Sequence, residues 1–181
     1  TLVEVHDQDL CPRYTGRVIR GVTVKESPDW LKNHLLAIGS RPINNIVDIT
    51  NFVLHELGHP LHAFDLDDLA GRRIVVRRAS PDEKILLLDE SEQTLTDHHL
   101  VICDAEKPVA LAGVMGGEHS GVTEKTTDVL LESAVFDPRN VRATSRGLGV
   151  LSDSSYRFER GVDFDMAVTA SDRATALILE L

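Results

Sequence analysis

The pattern of hydrophobic and polar residues is most informative between residues 44 and 65, NNIVDITNFVLHELGHPLHAFD. Placed on a helix at about 100° per residue, its apolar side chains cover most of the circumference. Asp48, Asn51 and His55 fall on the one narrow edge that remains. Such a helix is buried, so this polar edge is either solvated or lines a cavity. We expect the helix to stop by Gly58, and Asp48 to hydrogen-bond loop backbone.

Three further helices are predicted around this central one. Residues 27–29, SPD, are typical of a helix start, with Ser27 as the N-cap and proline at the first helical position. Residues 137–138, Asp-Pro, predict another start, for a helix that ends at one of the two glycines of RGLG. The polar segment LSDSSYRFERG is expected to be a connection to a last helix over residues 163–181.

Short β-rich runs separated by turn clusters occupy much of the remaining chain. In DVLLESAVF, residues 128–136, strand alternation puts Glu132 on the same side as Leu130 and Ala134, an unexpected place for a carboxylate. The other predicted strands are LVEV, RVIRGVTV, RRIVVRRA, KILLLD, QTLT, LVICD and VALAGVM. Helices flanking many short strands predict an α+β fold, and the absence of contiguous βαβ alternation disfavours a doubly wound parallel sheet.

Length and composition fit a single soluble domain, residues 1–181. The chain is 42% hydrophobic and 27% charged, with enough length for a sizeable core. No apolar run approaches the roughly 20 residues of a membrane span, and the acidic first residues are unlike a signal peptide. The chain begins without Met and ends as if within a helix, so we expect it to be an excised part of a longer protein.

The formal net charge of −10 argues against a large surface for duplex nucleic acid, although not against contact with one end of an RNA. Two arginine clusters could be such contacts or simply solvated faces. They comprise Arg72, Arg73, Arg77 and Arg78, and Arg139, Arg142, Arg146, Arg157 and Arg160. Cys11 and Cys103 lie far apart without C-x-x-C spacing, so we interpret them as reduced packing residues.

One motif in the central helix suggests a zinc-dependent peptidase. In residues 55–59, HELGH, the pattern H-E-x-x-H would let His55 and His59 share a zinc ion, with Glu56 as general base and His62 as a third ligand. The glycine and proline at positions 58 and 60 place the helix end inside the motif, however. The two histidines need not share a face, and eight histidines in the chain make a chance match plausible.

Three long motifs resemble one known family. They are RPINNIVDITNFVLHELGHPLHAFDLDDLAG, LAGVMGGEHSGVTEKTTDVLLESAVFDPRNVRATSRGLG and LSDSSYRFERGVD. In this order and spacing they are similar to the internal editing domain in the beta chain of bacterial phenylalanyl-tRNA synthetase. The resemblance covers about residues 1–175 and implies a three-layer β/β/α sandwich. Members of that family commonly carry other residues at positions 55 and 59, which indicates that the H-E-x-x-H match is accidental.

The resemblance implies a proofreading function. In that family the parent enzyme attaches phenylalanine to tRNA(Phe) with ATP and magnesium in a separate alpha chain, and no ATP-binding motif is visible here. The editing domain hydrolyses tyrosine wrongly esterified to tRNA(Phe), since an apolar pocket rejects an added hydroxyl only weakly. The implied partners are the 3′ end of aminoacylated tRNA(Phe) and the alpha chain of an alpha2-beta2 heterotetramer. The implied location is cytoplasmic, and the domain itself needs no cofactor.

The pocket residues of the family map onto matching positions of this sequence. Glu132 matches the glutamate that recognises the tyrosyl hydroxyl, which phenylalanine lacks. Gly116 matches a glycine whose backbone lies close to the substrate. Asn51 and His62 match residues near the scissile ester, where they would orient water or the terminal ribose. Of these residues, His62 alone has an ordinary pKa near neutrality, so it could also act as a weak base.

Two further positions depart from the family pattern. Ser152 and Ser154 match a threonine and an alanine that shape the amino-acid cavity in many members. Serine for threonine keeps a hydroxyl, whereas serine for alanine adds one, which could crowd or polarise the pocket. No Ser-His-Asp or Cys-His arrangement is evident, so we expect hydrolysis by a positioned water without a covalent intermediate.

Each of these assignments has a plainer alternative. Glu132 could form a surface ion pair on an edge strand, and His62 could cap a turn. The glycine pair at 116–117, which permits positive φ, could be only a turn, and the serines at 152 and 154 could be helix caps. For the chain as a whole, the alternatives are the zinc peptidase and a non-catalytic module that binds tRNA or protein.

Overall fold

The computed structural model describes residues 2–181, which form five α-helices and ten short strands. The helices are α1 (Asp29–Ala37), α2 (Asn45–Leu57), α3 (Pro138–Leu148), α4 (Asp153–Phe158) and α5 (Met166–Glu180). The strands are β1 (Val3–Val5), β2 (Arg13–Arg20), β3 (Leu61–Asp65), β4 (Ile74–Arg78), β5 (Lys84–Leu86), β6 (Glu92–Thr94), β7 (Leu100–Cys103), β8 (Pro108–Leu111), β9 (Met115–Gly116) and β10 (Asp128–Val135). None of the helices within residues 2–181 is both long and apolar enough to cross a membrane.

The strands form one large, one medium and one small sheet. The five-stranded sheet has the order β1-β4-β7-β8-β9, the three-stranded sheet the order β2-β10-β3, and β5 pairs with β6. The pair β1–β4 is parallel and the other pairs are antiparallel. Because β10 is the central strand of its sheet, Glu132 has a neighbour on each side, Gly16 in β2 and His62 in β3.

Two hydrophobic cores divide the molecule into three layers. The first core lies between the five-stranded and three-stranded sheets and contains Leu130 and Ala134 of β10. The second lies between the three-stranded sheet and helices α1, α2 and α5, and contains Val129 and Leu131. Strand alternation thus puts successive residues of β10 into different cores. The predicted α+β sandwich is confirmed, and so is the predicted side of Glu132.

The boundaries of α2 and α3 follow from local hydrogen bonds. The Asn44 side chain caps α2 by accepting from the backbone N–H groups of Ile46 and Val47, and Gly58 ends the helix with a left-handed φ of 72°. Asp137 caps α3 by accepting from the Asn140 N–H at 2.8 Å, directly before a proline at the first helical position. Both helices therefore start and stop near where the sequence predicts.

The expected role of Ser27 was wrong, whereas that of Asp48 is confirmed. Ser27 does not cap α1, which begins two residues later without a side-chain cap. Its buried hydroxyl instead donates to Asp48 Oδ2 at 2.5 Å, and the Ile43 backbone N–H donates to Oδ1 at 2.8 Å. A fully buried carboxylate needs such donors, and this need outweighs the local preference of serine for a helix start.

Two elements were not predicted from the sequence. Residues 61–65 form β3, because Ala63 and Phe64 are buried and the strand pairs with β10. The segment LSDSSYRFERG is not a plain connection either. Ser152 and Ser155 make a reciprocal capping box that starts the short helix α4. Both elements lie directly beside the cavity described below.

Candidate active site

A cavity of about 220 Å³ lies between the two larger sheets, bordered by α2 and the start of α4. It is smaller than the roughly 300–1,000 Å³ of a pocket for a drug-sized ligand, and its size suits an amino-acid side chain. Six residues singled out from the sequence line it together. They are Asn51 of α2, His62 of β3, Gly116 of β9, Glu132 of β10, and Ser152 and Ser154 at the start of α4. Most of the remaining wall is apolar, with Leu54, Leu61, Leu88, Val114 and Phe158 among its members.

Glu132 places a carboxylate inside the apolar layer between the sheets. Only 7% of the residue is exposed. The Tyr14 hydroxyl donates to its Oε2 atom at 2.7 Å, and within residues 2–181 its Oε1 atom accepts no hydrogen bond. Burial raises the pKa of Glu132 to about 7, although the hydrogen bond from Tyr14 opposes this shift. The alternative of a surface ion pair on an edge strand is wrong.

His62 lies directly across from Glu132 in the neighbouring strand and therefore faces the same layer. Its ring stands edge to face against Phe64, with 4.4 Å between ring centroids. Burial lowers the pKa of His62 to about 4, and its Nε2 atom is buried without a partner within residues 2–181. The expected near-neutral pKa was wrong, because desolvation disfavours the imidazolium ion. A turn cap is excluded too, since the residue lies within β3.

Gly116 allows the backbone of β9 to approach His62. A Cβ atom at this position would lie 2.6 Å from His62 Cε1 and 3.1 Å from Leu88 Cδ1. A Cβ atom at Gly117 would lie 2.7 Å from the carbonyl oxygen of Val109. Neither glycine has a positive φ, so the backbone conformation that glycine permits is not used here. Both glycines are therefore needed for space, Gly116 beside the His62 ring and Gly117 beside the Val109 backbone.

The remaining polar residues of the cavity have different surroundings. The Ser152 hydroxyl caps α4, accepting from the Ser155 N–H at 3.0 Å, and donates to the Val114 carbonyl at 2.5 Å. The helix-cap alternative is therefore confirmed for Ser152. Ser154 and Asn51 are half-buried, and their side chains make no hydrogen bond within residues 2–181. Both remain available to a bound molecule.

The three residues of the H-E-x-x-H motif that would form a zinc site lie in different surroundings. His55 is exposed and lies 3.2 Å from an Arg157 nitrogen, and Glu56 forms a two-point ion pair with Arg173 of α5 at 2.9 and 3.1 Å. His59 follows the helix end and is only 1% exposed. In the part of the chain that the structure describes, no three His, Cys, Asp or Glu side chains are placed to hold a metal ion together. The arrangement contradicts the zinc-peptidase alternative.

Tyr14 is the residue of this site that the sequence reasoning missed. Alternation along β2 puts it on the same face as Gly16 and Val18, but that signal is common to many strands. Its importance arises from the pairing of β2 with β10, which sets Tyr14 against Ala134, diagonal to Glu132.

Cys11 is buried in the first core, as is Cys103, so the interpretation of both cysteines as packing residues is confirmed.

Comparison with known proteins places these features in a wider group. Residues 10–181 match the B3/4 domain family. The chain is 57% identical over 179 residues to the phenylalanine–tRNA ligase beta subunit of Geobacter metallireducens, and 57% identical over 180 residues to that of Porphyromonas gingivalis. Each match covers 99% of this chain and 22% of the relative. The chain thus spans about a fifth of the length of these subunits.

The fold also resembles a solved structure. This is the crystal structure of an N-terminal fragment of the phenylalanyl-tRNA synthetase beta-subunit from Pyrococcus horikoshii. The TM-score is 0.55 with 15% sequence identity, and the match covers 83% of this chain and 50% of that one. At such low identity the likeness concerns the fold alone.

Proposed function

This chain belongs to the B3/4 domain family, and from that premise we propose that it is the editing domain of a phenylalanine–tRNA ligase beta subunit. Its reaction would be hydrolysis of the ester that joins a wrongly attached tyrosine to tRNA(Phe). One observation carries the proposal. Glu132 is buried at the wall of a small, mostly apolar cavity, and within residues 2–181 only one of its two carboxylate oxygens accepts a hydrogen bond.

The second oxygen of Glu132 explains how the cavity would select tyrosine. A phenolic O–H can donate to Oε1 in a charge-assisted hydrogen bond when the carboxylate is ionised. Phenylalanine has no donor, so its ring would leave a buried carboxylate oxygen unpaired. Leaving a buried polar group without a partner costs more than a typical hydrogen bond contributes. Sites built in this way reject the analogue that lacks the hydroxyl by factors of roughly 10⁴.

Asn51 and His62 are the groups that we assign to the ester end of the substrate. Both residues line the cavity, and within residues 2–181 neither the Asn51 amide nor His62 Nε2 has a hydrogen-bond partner. A water molecule held by these side chains would attack the ester carbonyl, and the ribose oxygen would leave with a proton, yielding free tyrosine and tRNA. With a pKa of about 4, His62 is a neutral imidazole at physiological pH. It is suited to orienting this water, whereas efficient general bases have a pKa nearer the working pH.

The charge distribution supports contact with the end of an RNA chain. Residues 138–161 carry five arginines and two carboxylates, a net charge of +3, whereas the other 157 residues carry −13. This basic segment contains α4, whose first residues line the cavity. A local positive patch beside a pocket, on an otherwise acidic molecule, suits the 3′ end of an aminoacylated tRNA better than a long duplex.

The roles of the larger protein belong to the same proposal. We assign the whole of residues 1–181 to this one editing module, with no cofactor of its own. Attachment of phenylalanine with ATP and magnesium is assigned to an alpha chain, with which the beta subunit would form an alpha2-beta2 heterotetramer in the cytoplasm.

The test uses the full-length ligase that contains this chain. We expect Asn51→Ala and His62→Ala each to slow deacylation of Tyr-tRNA(Phe) by about ten- to a hundredfold, because each removes a group that positions the attacking water. Attachment of phenylalanine to tRNA(Phe) by the same preparations is the control for intact enzyme. Unchanged hydrolysis in a ligase that carries Asn51→Ala, His62→Ala and Glu132→Ala together would refute the proposal. Retained binding without hydrolysis in the unaltered enzyme would favour a non-catalytic module.

A further inference from the structure

The phenol of Tyr14 is the partner of the Glu132 carboxylate in the described chain. The two side chains come from adjacent strands, β2 and β10, and their oxygens are 2.7 Å apart. Tyr14 does not line the cavity, whereas Glu132 does. The tyrosine therefore stands behind the glutamate, on the side away from a bound molecule.

We propose that Tyr14 is a positioning residue, which turns the Glu132 carboxylate so that Oε2 is held by the protein and Oε1 is presented to a phenolic substrate. The inference rests on the proposed function of the cavity. It adds a residue that acts on selectivity without touching the substrate.

The geometry gives Tyr14 two effects on Glu132. A glutamate side chain at a cavity wall has three rotatable bonds, and one fixed oxygen removes most of its alternative orientations. The same bond leaves a single acceptor free, so one phenol from the protein and one from the substrate would share the carboxylate. Two donors satisfy a buried carboxylate better than one, and only a tyrosyl substrate supplies the second.

Near neutral pH, the hydrogen bond from Tyr14 is the main polar interaction that acts on the pKa of Glu132. The other titratable groups around Glu132 are Cys11 before β2, His62 on the opposite strand, and Asp153 across the cavity, which is paired with Arg157. Burial raises the pKa of Cys11 to about 12 and lowers that of His62 to about 4, so both are neutral at pH 7.

The charge at this wall of the cavity therefore depends on whether Glu132 is ionised, and Tyr14 influences that ionisation. Burial raises the pKa of Glu132, and the bond from Tyr14 lowers it towards its ordinary value. Burial and the neighbouring carboxylate raise the pKa of Tyr14 far above its ordinary value, so the phenol remains a donor. Removing this donor would keep Glu132 protonated to a higher pH.

The experiment is Tyr14→Phe in the full-length ligase, with kcat/KM for hydrolysis of Tyr-tRNA(Phe) and Phe-tRNA(Phe) measured from pH 6 to 9. We expect about tenfold less discrimination between the two at pH 7. The midpoint of its pH dependence should move up by about one unit, since a hydroxyl donor to a charged acceptor is worth at least that much. A pH profile and discrimination equal to those of the unaltered enzyme would overturn the inference.

The chain provides a matched control for this substitution. It contains two tyrosines, and Tyr156 is 57% exposed with the Arg160 guanidinium 3.6 Å above its ring. Tyr156→Phe removes the same atom from a residue that does not line the cavity, so the midpoint of the pH profile should stay unchanged even if contact with tRNA weakens. Glu132→Gln removes the titrating carboxylate, so in that background Tyr14→Phe should leave the remaining pH profile unchanged. A shift that persists in that background would contradict a positioning role.

A second variant keeps the test valid if Tyr14→Phe does not fold. Fluorinated tyrosine placed at position 14 keeps the ring and the hydrogen bond but is a stronger donor, so the midpoint should move to lower pH. An unchanged midpoint would count against the inference. The two ideas fail separately: absence of Tyr-tRNA(Phe) hydrolysis in the unaltered enzyme defeats the proposed function. Normal hydrolysis with an unaffected Tyr14 variant defeats only this inference.

Discussion

The two faces of the three-stranded sheet have different surroundings: one packs against helices, and the other borders a cavity. On the helix side, Val129 and Leu131 are fully buried against helices. The one polar residue of β10 on that side, Ser133, donates its hydroxyl to the Ala167 carbonyl at 2.6 Å. On the other side, Leu130 and Ala134 flank Glu132 at the wall of an open cavity.

The difference lies in how polar groups are satisfied. Ser133 is paired within its own layer, so the helix-facing side is closed and contributes to stability. Glu132, His62 and Asn51 line a cavity and have polar atoms without partners within residues 2–181, an arrangement that costs stability unless a bound molecule supplies the partners. Adjacent residues of β10 thus belong to a closed packing face and to the wall of the proposed site.

The largest expected effect comes from removing the carboxylate on the cavity side. Glu132→Ala in the full-length ligase should reduce the preference for Tyr-tRNA(Phe) over Phe-tRNA(Phe) by about 10³-fold, because the cavity loses its acceptor for the phenol. The free energy of unfolding should stay within about 1 kcal/mol of the unaltered chain, since relief of carboxylate burial offsets the acceptor lost by Tyr14. Paired hydrolysis assays and denaturant unfolding measure the two quantities. A large loss of stability with unchanged preference would show that Glu132 contributes to stability rather than to selectivity.

The adjacent residue should behave in the opposite way. Leu131→Ala removes a fully buried side chain from the helix-side core and should lower the free energy of unfolding by about 3 kcal/mol. Preference between the two aminoacyl-tRNAs should remain, because no atom of the cavity changes. Urea unfolding of the 181-residue chain and the hydrolysis assay at a temperature well below its Tm test both parts. Selectivity lost along with stability would show that the faces are not independent.

The two faces should also differ in how their contribution to the free energy of unfolding depends on pH. The folded state raises the pKa of Glu132 to about 7, from an ordinary value of 4.5. The folded chain therefore holds this proton more tightly than the unfolded chain. The resulting stabilisation is complete below pH 4.5 and is lost as pH rises to about 7. Compared with the unaltered chain, Glu132→Gln should gain about 3 kcal/mol in free energy of unfolding between these limits.

The measurement is a series of unfolding curves at several pH values for both chains. His59 and His62, whose pKa values burial lowers to about 4, act in the reverse direction, losing stability as pH falls from 6.5. They are present in both chains, so their contribution cancels in the difference. Ser133→Ala serves as the control from the helix side, and its difference from the unaltered chain should not vary with pH. A flat difference for Glu132→Gln would mean that folding does not raise the pKa of Glu132.

The smallest expected effect tests the space around His62. A Cβ atom at Gly116 would lie 2.6 Å from His62 Cε1, so Gly116→Ala should displace the imidazole and slow Tyr-tRNA(Phe) hydrolysis by about tenfold. Gly121→Ala is a matched control, because nothing lies within 4 Å of the added atom. Equal rates in the two variants would separate Gly116 from the chemistry.

Much of the local architecture could be predicted because short-range chemistry determines it. Asp137 before a proline starts α3, and Gly58 and Gly149 end helices with left-handed backbone. Alternation in DVLLESAVF predicted that Glu132 faces away from Leu131. Such features depend on hydrogen bonds and dihedral angles within a few residues, which a sequence displays directly.

The polar residues were harder to interpret where a distant partner competes with a local one. Ser27 had the sequence context of a helix cap, yet it donates to Asp48 in another helix. His62 has an ordinary pKa near neutrality in isolation, but burial beside Phe64 and Gly116 lowers it to about 4. Desolvation depends on all of the surrounding atoms, so no short segment reveals it.

The sequence by itself determined the family resemblance, the α+β class and the six residues that line one cavity. Only the tertiary structure decided how these residues are arranged. Pairing of β2 and β3 on either side of β10 set Tyr14 and His62 beside Glu132. The physical reason is that strand pairing joins residues far apart in the chain. Burial then sets their hydrogen bonds and pKa values.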